Sequence, residues 1–274
     1  MFKKIIYFFE FIIIQFFFII FKLFGLKISN YIAKNIFKII GPQFRSKKII
    51  NQNLKLAFPN KSENELNQIT CNMWEYYGKI FSEYPFIKKF REENFDKNFK
   101  IIGKEVLDEI KKSNKPVIFI SGHFDNFELM ALSLEKYGIN LSAIYRPLNN
   151  IYLNRIMENI RKKFICKNQI KKGIQNLKPL IRLFKDGYSV ALMIDQRVSE
   201  GIKVNFFNKE AYTTTIPAQF VKKFNSQIVP IFIERTNENK FEMIVEKPFT
   251  FNDEDTIEKI TLVLNQIRAF FLGV

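Results

Sequence analysis

The sequence predicts an α/β protein: a mixed central sheet covered by helices, preceded by a membrane-anchoring helix at the N-terminus. Three observations carry this reading. Short apolar runs of strand length (PVIFIS at 116–121, LSAIY at 141–145, YSVALMI at 188–194, QIVPIFI at 227–233) alternate with longer segments of helical periodicity. The runs are apolar throughout, the pattern of strands buried on both faces by helices. Residues 5–24 are interrupted only by Glu10, Gln15 and Lys22.

The segment 5–24 is just long enough for a helix to cross a bilayer, which takes about 20 apolar residues. No small-residue cleavage site follows it, which argues against a removed signal peptide. The residues 27–40 place Lys27, Lys34 and Lys38 on one side of a helix and Ile28, Ile32, Ile36 and Ile39 on the other. Such a basic amphipathic helix suits a headgroup layer. The expected organisation is an anchor at 1–26 and an α/β domain at 27–274, with 27–40 lying on the membrane surface.

Beyond the anchor, residues 43–90 read as helical. Ser62 and Glu65 have the S-x-x-E spacing of a capping box, opening a helix that runs to about Tyr84 and stops before Pro85. PVIFIS is a strand, followed by a helix to about Tyr137 with Gly138 as its C-terminal cap. LSAIY is a strand, 150–163 and 174–186 are helices, and YSVALMI is a strand. A loop then leads to a helix at 216–225. QIVPIFI and FEMIVE (241–246) are strands, and a last helix covers about 255–270.

Composition bounds the function. Lys and Arg number 43 against 27 Asp and Glu, a formal charge of +16, which favours anionic partners. Codon bias could contribute, since Phe, Lys, Ile and Asn are all abundant. Two distant cysteines, Cys71 and Cys166, offer neither a disulfide scaffold nor a zinc site. One histidine excludes a multi-histidine metal centre. No Gly-rich phosphate loop is present, and no nucleic-acid-binding pattern supports a membrane-anchored nucleic-acid binder.

The single histidine, His123, lies two residues past PVIFIS, in Gly122-His123-Phe124-Asp125-Asn126-Phe127-Glu128. The carboxyl ends of strands are where sites form in sheets of this class. An imidazole acting as a base needs a partner on its second ring nitrogen. Glu128 can return to the ring across the turn into the following helix, and Asp125 competes for that role.

H-x4-E after a buried strand resembles the glycerolipid acyltransferase superfamily. The blocks that follow are closer to its lipid A biosynthesis (lauroyl/myristoyl) branch. Asn53-Leu54 with Phe58-Pro59 resembles an "NL…FP" stretch, and the His123 segment an "HFGNWE"-type motif. Tyr145-Arg146-Pro147, Asn150 and Arg161 are similar to a "YRP…N…R" block. Asp195-Gln196, Phe206-Phe207 with Thr213-Thr214-Thr215, and Val229-Pro230 complete the series. The resemblance covers about residues 40–270. It departs in Asp125, where the family often has Gly, in Phe127 for Trp, and in a C-terminal Trp- and His-containing block that these residues do not match.

The resemblance implies acyl transfer from an acyl carrier protein to a hydroxyl of a lipid A precursor at the bacterial inner membrane, with the site facing the cytoplasm. It implies His123 as general base, Glu128 as its orienting partner, Arg161 in an anionic-group or oxyanion role and Asp195 organising the site. Arg146, Asn126 and Gln196 are implied for substrate binding. No metal and no cofactor are implied. The same residues leave open another glycolipid or an amino-acid-containing lipid as acceptor, and a non-catalytic membrane-anchored binding protein. Lysines at 162–163, 171–172 and 222–223 would give the acidic carrier a docking surface.

Overall fold

The protein is described by a computed structural model that covers residues 2–93, 95–206, 209–237 and 240–271. The chain divides into two compact units, residues 1–89 and residues 90–273.

The first unit is helical. Helix α1 (Phe2–Ile40) is broken at Gly25, whose φ of 78° and ψ of 167° lie outside helical space. Only glycine takes that conformation readily. The Ser29 hydroxyl lies within hydrogen-bond distance of the carbonyl oxygens of Gly25 (2.7 Å) and Phe21 (3.0 Å), at the break and before it. The two arms coincide with the expected apolar segment and the expected amphipathic helix. Helix α2 (Lys47–Ala57) and helix α3 (Glu63–Glu83) follow. The capping box at Ser62 and Glu65 is present in full. Gly78 of α3 faces the α1 backbone, where a Cβ would stand 2.5 Å from the Ala33 carbonyl oxygen. That close approach lets Phe17, Phe18, Phe21 and Phe37 gather around Phe81. The other side of the apolar arm is bare: Phe9, Phe16 and Leu23 are 61%, 60% and 78% exposed. By length and composition this helix is able to cross a membrane.

A short helix α4 (Ile87–Glu92) leads into the second unit. Its elements in order are α5 (Phe95–Asn98), β1 (Phe99–Ile102), α6 (Lys104–Ser113), β2 (Ile118–Ser121), α7 (Glu128–Lys136), β3 (Leu141–Tyr145), α8 (Ile151–Ile160), β4 (Asn168–Lys171), α9 (Leu177–Lys185), β5 (Ser189–Met193), β6 (Ile202–Phe206), β7 (Lys209–Thr213), α10 (Ile216–Phe224), β8 (Ile228–Asn237), β9 (Lys240–Val245) and α11 (Ile257–Phe271). Seven strands form one sheet in the order β1-β9-β8-β2-β5-β3-β4. All neighbours are parallel except β8 and β9, so the sheet is mixed. Strands β6 and β7 form a separate hairpin.

Both faces are covered, as the apolar runs require. Ile118 and Ile120 of β2 join a core with Phe184 of α9, Phe220 of α10 and Leu264 of α11. Phe119, fully buried between them in sequence, points to the opposite face. Helix α7 packs on β3 and β8, with Leu129, Leu132 and Leu134 at 0% exposure. Burying such a side chain is worth about 1.5–3 kcal/mol, so α7 is firmly seated and its first turn is a rigid platform. Gly138, at φ 95°, ends the helix as expected.

Four elements had no strong sequence signal: β1, α6, β4 and the β6–β7 hairpin. The span read as a loop after β5 is that hairpin. The Thr-rich block ties it to α11: Thr213 is buried and exchanges side-chain hydrogen bonds with Asn265, which also donates to the Asn205 carbonyl (3.3 Å). Phe207, from the same block, lies outside the described residues.

Candidate active site

Strand order places the site. Strands β2, β5, β3 and β4 are consecutive and parallel, so their carboxyl ends share one edge. In the β2–β5 register Ser121 lies opposite Met193. Two residues further along each strand stand His123 and Asp195.

Asp195 binds His123 at two points. Its carboxylate lies 2.8 Å (Oδ1) and 3.1 Å (Oδ2) from ring Nδ1, and Oδ2 also accepts the His123 backbone N–H at 2.8 Å. Burial pushes the Asp195 carboxyl up, but the hydrogen bonds from the ring and backbone of His123 outweigh it and hold the group below its ordinary range. An ionised carboxylate on Nδ1 fixes the hydrogen there and leaves Nε2 as the basic nitrogen. Nε2 lies 3.3 Å from the Gln196 side-chain nitrogen, which with this tautomer donates to it. The imidazole edge also rests on Phe127, with centroids 4.6 Å apart. The His123 side chain is 30% exposed, open enough to meet a substrate.

Two close approaches shape the loop. A Cβ on Gly122 would stand 2.9 Å from the Phe124 ring and 3.3 Å from Asp195 Oδ2. Asp125 takes φ 38°, a left-handed conformation that Asp tolerates better than most residues. Its Oδ1 accepts the Asn126 backbone N–H and the Arg235 guanidinium, both at 2.8 Å. Both side chains of that ion pair are 7% exposed, and Arg235 also covers the Phe241 ring at 4.5 Å.

The expected bond from Glu128 to the imidazole is not made; both ring nitrogens are taken by Asp195 and Gln196. Glu128 opens α7 and binds Arg161 instead, through Nε at 2.8 Å and a second contact from Nη2. The reason is distance along the fold. Glu128 begins a buried helix that carries its side chain toward α8, whereas Asp195 arrives level with His123 on the adjacent strand. Arg161 stands at the junction of α8 with a π-helical turn, Arg161–Ile165, and packs on the Tyr145 ring at 5.5 Å. Such turns recur at functional sites. The Tyr145 hydroxyl donates to Glu158 (2.6 Å), and burial with that bond raises it, so it serves as a neutral donor.

The remaining expected residues separate. Arg146 follows β3 directly and is exposed at the same sheet edge. Asn126 is at 0% exposure, inside the loop. Gln196 is exposed beside the imidazole. Cys166 is no competing nucleophile: burial pushes its thiol up to about 12. Sequence reasoning did not find Arg235, which carries no local motif and reaches the loop from β8.

The arrangement is a carboxylate–imidazole pair with an accessible basic nitrogen. It can take a proton from a hydroxyl and return it to a leaving group. Comparison with known proteins adds a second line. Residues 1–272 match the family described as bacterial lipid A biosynthesis acyltransferase. The chain is 25% identical over 198 residues to lipid A biosynthesis acyltransferase 2 of Shigella flexneri, covering 72% of this chain and 62% of that relative. It is 23% identical over 197 residues to lipid A biosynthesis myristoyltransferase of Escherichia coli (strain K12), covering 70% of this chain and 59% of the relative. Lipid A biosynthesis lauroyltransferase of the same organism is 23% identical over 229 residues, covering 81% and 73%.

Proposed function

The chain belongs to the bacterial lipid A biosynthesis acyltransferase family, and from that premise we propose that it is a membrane-associated O-acyltransferase using His123 as general base. The acceptor is a hydroxyl of a lipid A precursor and the donor is an acyl carrier protein thioester. The observation that carries the reading is the His123–Asp195 pair at the carboxyl edge of the sheet.

An alcohol is barely ionised at neutral pH, so its attack on a thioester needs a base. The acceptor hydroxyl displaces Gln196 from Nε2 and gives up its proton there as its oxygen bonds to the thioester carbonyl carbon. Asp195 stabilises the imidazolium that forms. The tetrahedral intermediate then expels the carrier thiolate, and His123 returns the proton to that sulfur. General base catalysis of this kind is worth about 10²–10⁴-fold.

Glu128 and Arg161 act as a positioning pair, fixing the start of α7 and hence the His123 loop. Asn126, being buried, supports the loop, and Gln196 and Arg146 are the residues available to substrate. Arg146 is suited to a phosphate of the acceptor. Exposed lysines at 162–163, 171–172 and 222–223 give an acidic carrier a surface to approach, so salt should weaken its apparent affinity. The bare apolar face of α1 supports an anchor in the bacterial inner membrane, with the site on the cytoplasmic side where the carrier resides.

The test is acyl transfer by the purified full chain from acyl carrier protein to a lipid A precursor. His123→Ala should lower the initial rate by at least about 10² with an unchanged circular dichroism spectrum. Near wild-type turnover in that variant would overturn the reading. Mass spectrometry of lipids from a deletion strain identifies the acceptor.

A further inference from the structure

Within the first unit, α1, α2, α3 and the segment between α1 and α2 line a half-open cavity of about 920 Å³ that the proposed chemistry leaves unused. Its volume lies in the range of about 300–1,000 Å³ typical of small-molecule sites. The wall is dominated by Phe and Ile, among them Ile14, Phe17, Ile36 and Phe37. One wall residue is Trp74, 6% exposed, whose indole Nε1–H is buried and finds no acceptor among the described residues. Buried polar groups without a partner are uncommon, and a missing ligand is one of their explanations. The indole is also immobilised: Gly41 packs on it so closely that a Cβ there would stand 2.3 Å from the ring.

One side of the cavity has a distinct composition. Arg45 and Ser46 line it, and Ser46 caps α2 by accepting the Ile49 N–H. The next two residues, Lys47 and Lys48, form the first turn of α2, which carries no acidic residue. Cations at that end of a helix oppose its dipole, so sequence and macrodipole concentrate positive potential at one corner. Among the described residues of the wall Glu10 is the one acidic group and Arg45 the one basic group, with Lys47 and Lys48 following Arg45 and Ser46 in sequence. The same corner exposes apolar side chains, Phe44 at 69% and Ile49 at 58%. Cationic groups beside exposed apolar ones are what a protein presents to an anionic lipid surface.

We propose that this cavity binds one acyl chain of an anionic bilayer phospholipid, with its phosphate held by Arg45, Lys47 and Lys48. The apolar wall takes the chain, and the indole N–H meets a carbonyl oxygen of its ester linkage. This is a bound lipid that is not turned over, and it rests on no catalytic residue.

Trp74 is the sole tryptophan of the chain and therefore reports on the cavity directly. The full chain is reconstituted in vesicles of phosphatidylglycerol or of phosphatidylcholine whose acyl chains carry bromine, a contact quencher of indole fluorescence. Quenching should be at least twofold stronger in phosphatidylglycerol. Arg45→Gln should remove that preference. Ile36→Phe and, separately, Ile14→Phe fill the cavity from different helices and should each lower quenching, with circular dichroism confirming the fold. Equal quenching in the filled variants and the unmodified protein would mean that brominated chains reach Trp74 only from the surrounding bilayer, and would overturn the site. Equal quenching by the two headgroups would overturn the assignment to an anionic lipid.

Discussion

Asp195 holds His123 by both its ring and its backbone, accepting Nδ1 and the main-chain N–H at 2.8 Å each. One carboxylate thus fixes the position of the residue and the tautomer of its imidazole. Asp195→Asn keeps the shape but offers no charge to the imidazolium, and an amide that turns its NH₂ toward Nδ1 selects the wrong tautomer. Acyl transfer should fall by about 10²–10⁴-fold, comparable to loss of the base itself. Initial rates for both variants under the same conditions check this. A rate within threefold of wild type in Asp195→Asn would remove Asp195 from the mechanism.

The same bond links stability to pH. The Asp195 carboxyl is held below its ordinary range, so the unfolded chain binds a proton at higher pH than the folded one. Its stabilising contribution is complete above the unfolded value, about 4, and is lost as pH falls through the lower folded value. Urea midpoints between pH 5 and pH 3 should therefore drop more steeply for wild type than for Asp195→Asn. Parallel slopes would contradict it.

Local signals made much of this fold legible. The Ser62–Glu65 capping box, the Gly138 cap and the uniformly apolar strands are each written in a few adjacent residues. His123 was legible for the same reason, being a lone imidazole at a strand end. Its partner was not, because the choice between Glu128, Asp125 and Asp195 depends on which strand lies beside β2 and in what register. Seventy-two residues separate His123 from Asp195, and only the sheet brings them level. Arg235 was invisible in the same way. Strand β1 is four residues with a single alternation, and the polar strands β6 and β7 lack an apolar run, so neither rises above a loop by pattern alone.

Glu128 and Arg161 are 7% and 10% exposed at the side chain, so neither charge is screened by water. Removing one partner breaks a buried ion pair, at a cost of about 3–5 kcal/mol. Glu128→Gln should lose less than Glu128→Ala, since an amide still accepts a hydrogen bond from the guanidinium. Arg161→Lys should behave as a severe variant, because a point charge cannot reproduce the two-nitrogen contact. Chemical denaturation of the three variants tests the order.

The bare face of α1 predicts how the proposed membrane contact can be broken without unfolding the helices. Phe9 and Phe16 point away from the Phe81 cluster. A lysine near the centre of an inserted helix costs about 2.5–3.5 kcal/mol. Phe9→Lys with Phe16→Lys should move the protein from the membrane fraction to the soluble one in high-salt washes. Retention of the double variant in membranes at wild-type levels would mean that another surface makes the contact.

Asp125 stands where the family it resembles often has Gly, which would make it the dispensable carboxylate of the loop; its surroundings make it structural. It sits at φ 38° with its charge on Arg235, both side chains 7% exposed. Asp125→Ala combines two penalties: an alanine in a left-handed conformation and the loss of a buried ion pair to Arg235. The second alone is worth about 3 kcal/mol or more. Asp125→Gly removes only the backbone strain and should fall between wild type and Asp125→Ala. Asp125→Gly with Arg235→Met removes both charges and should recover most of the stability, because a well-packed apolar pair often replaces a buried ion pair at little cost. Acyl-transfer rates per folded molecule distinguish a loop support from a group that touches substrate. If Asp125 acts only by holding the loop, the double variant regains activity along with its urea midpoint. Recovery of stability with activity still down by about 10² would instead place the Asp125 carboxylate in the chemistry beside His123.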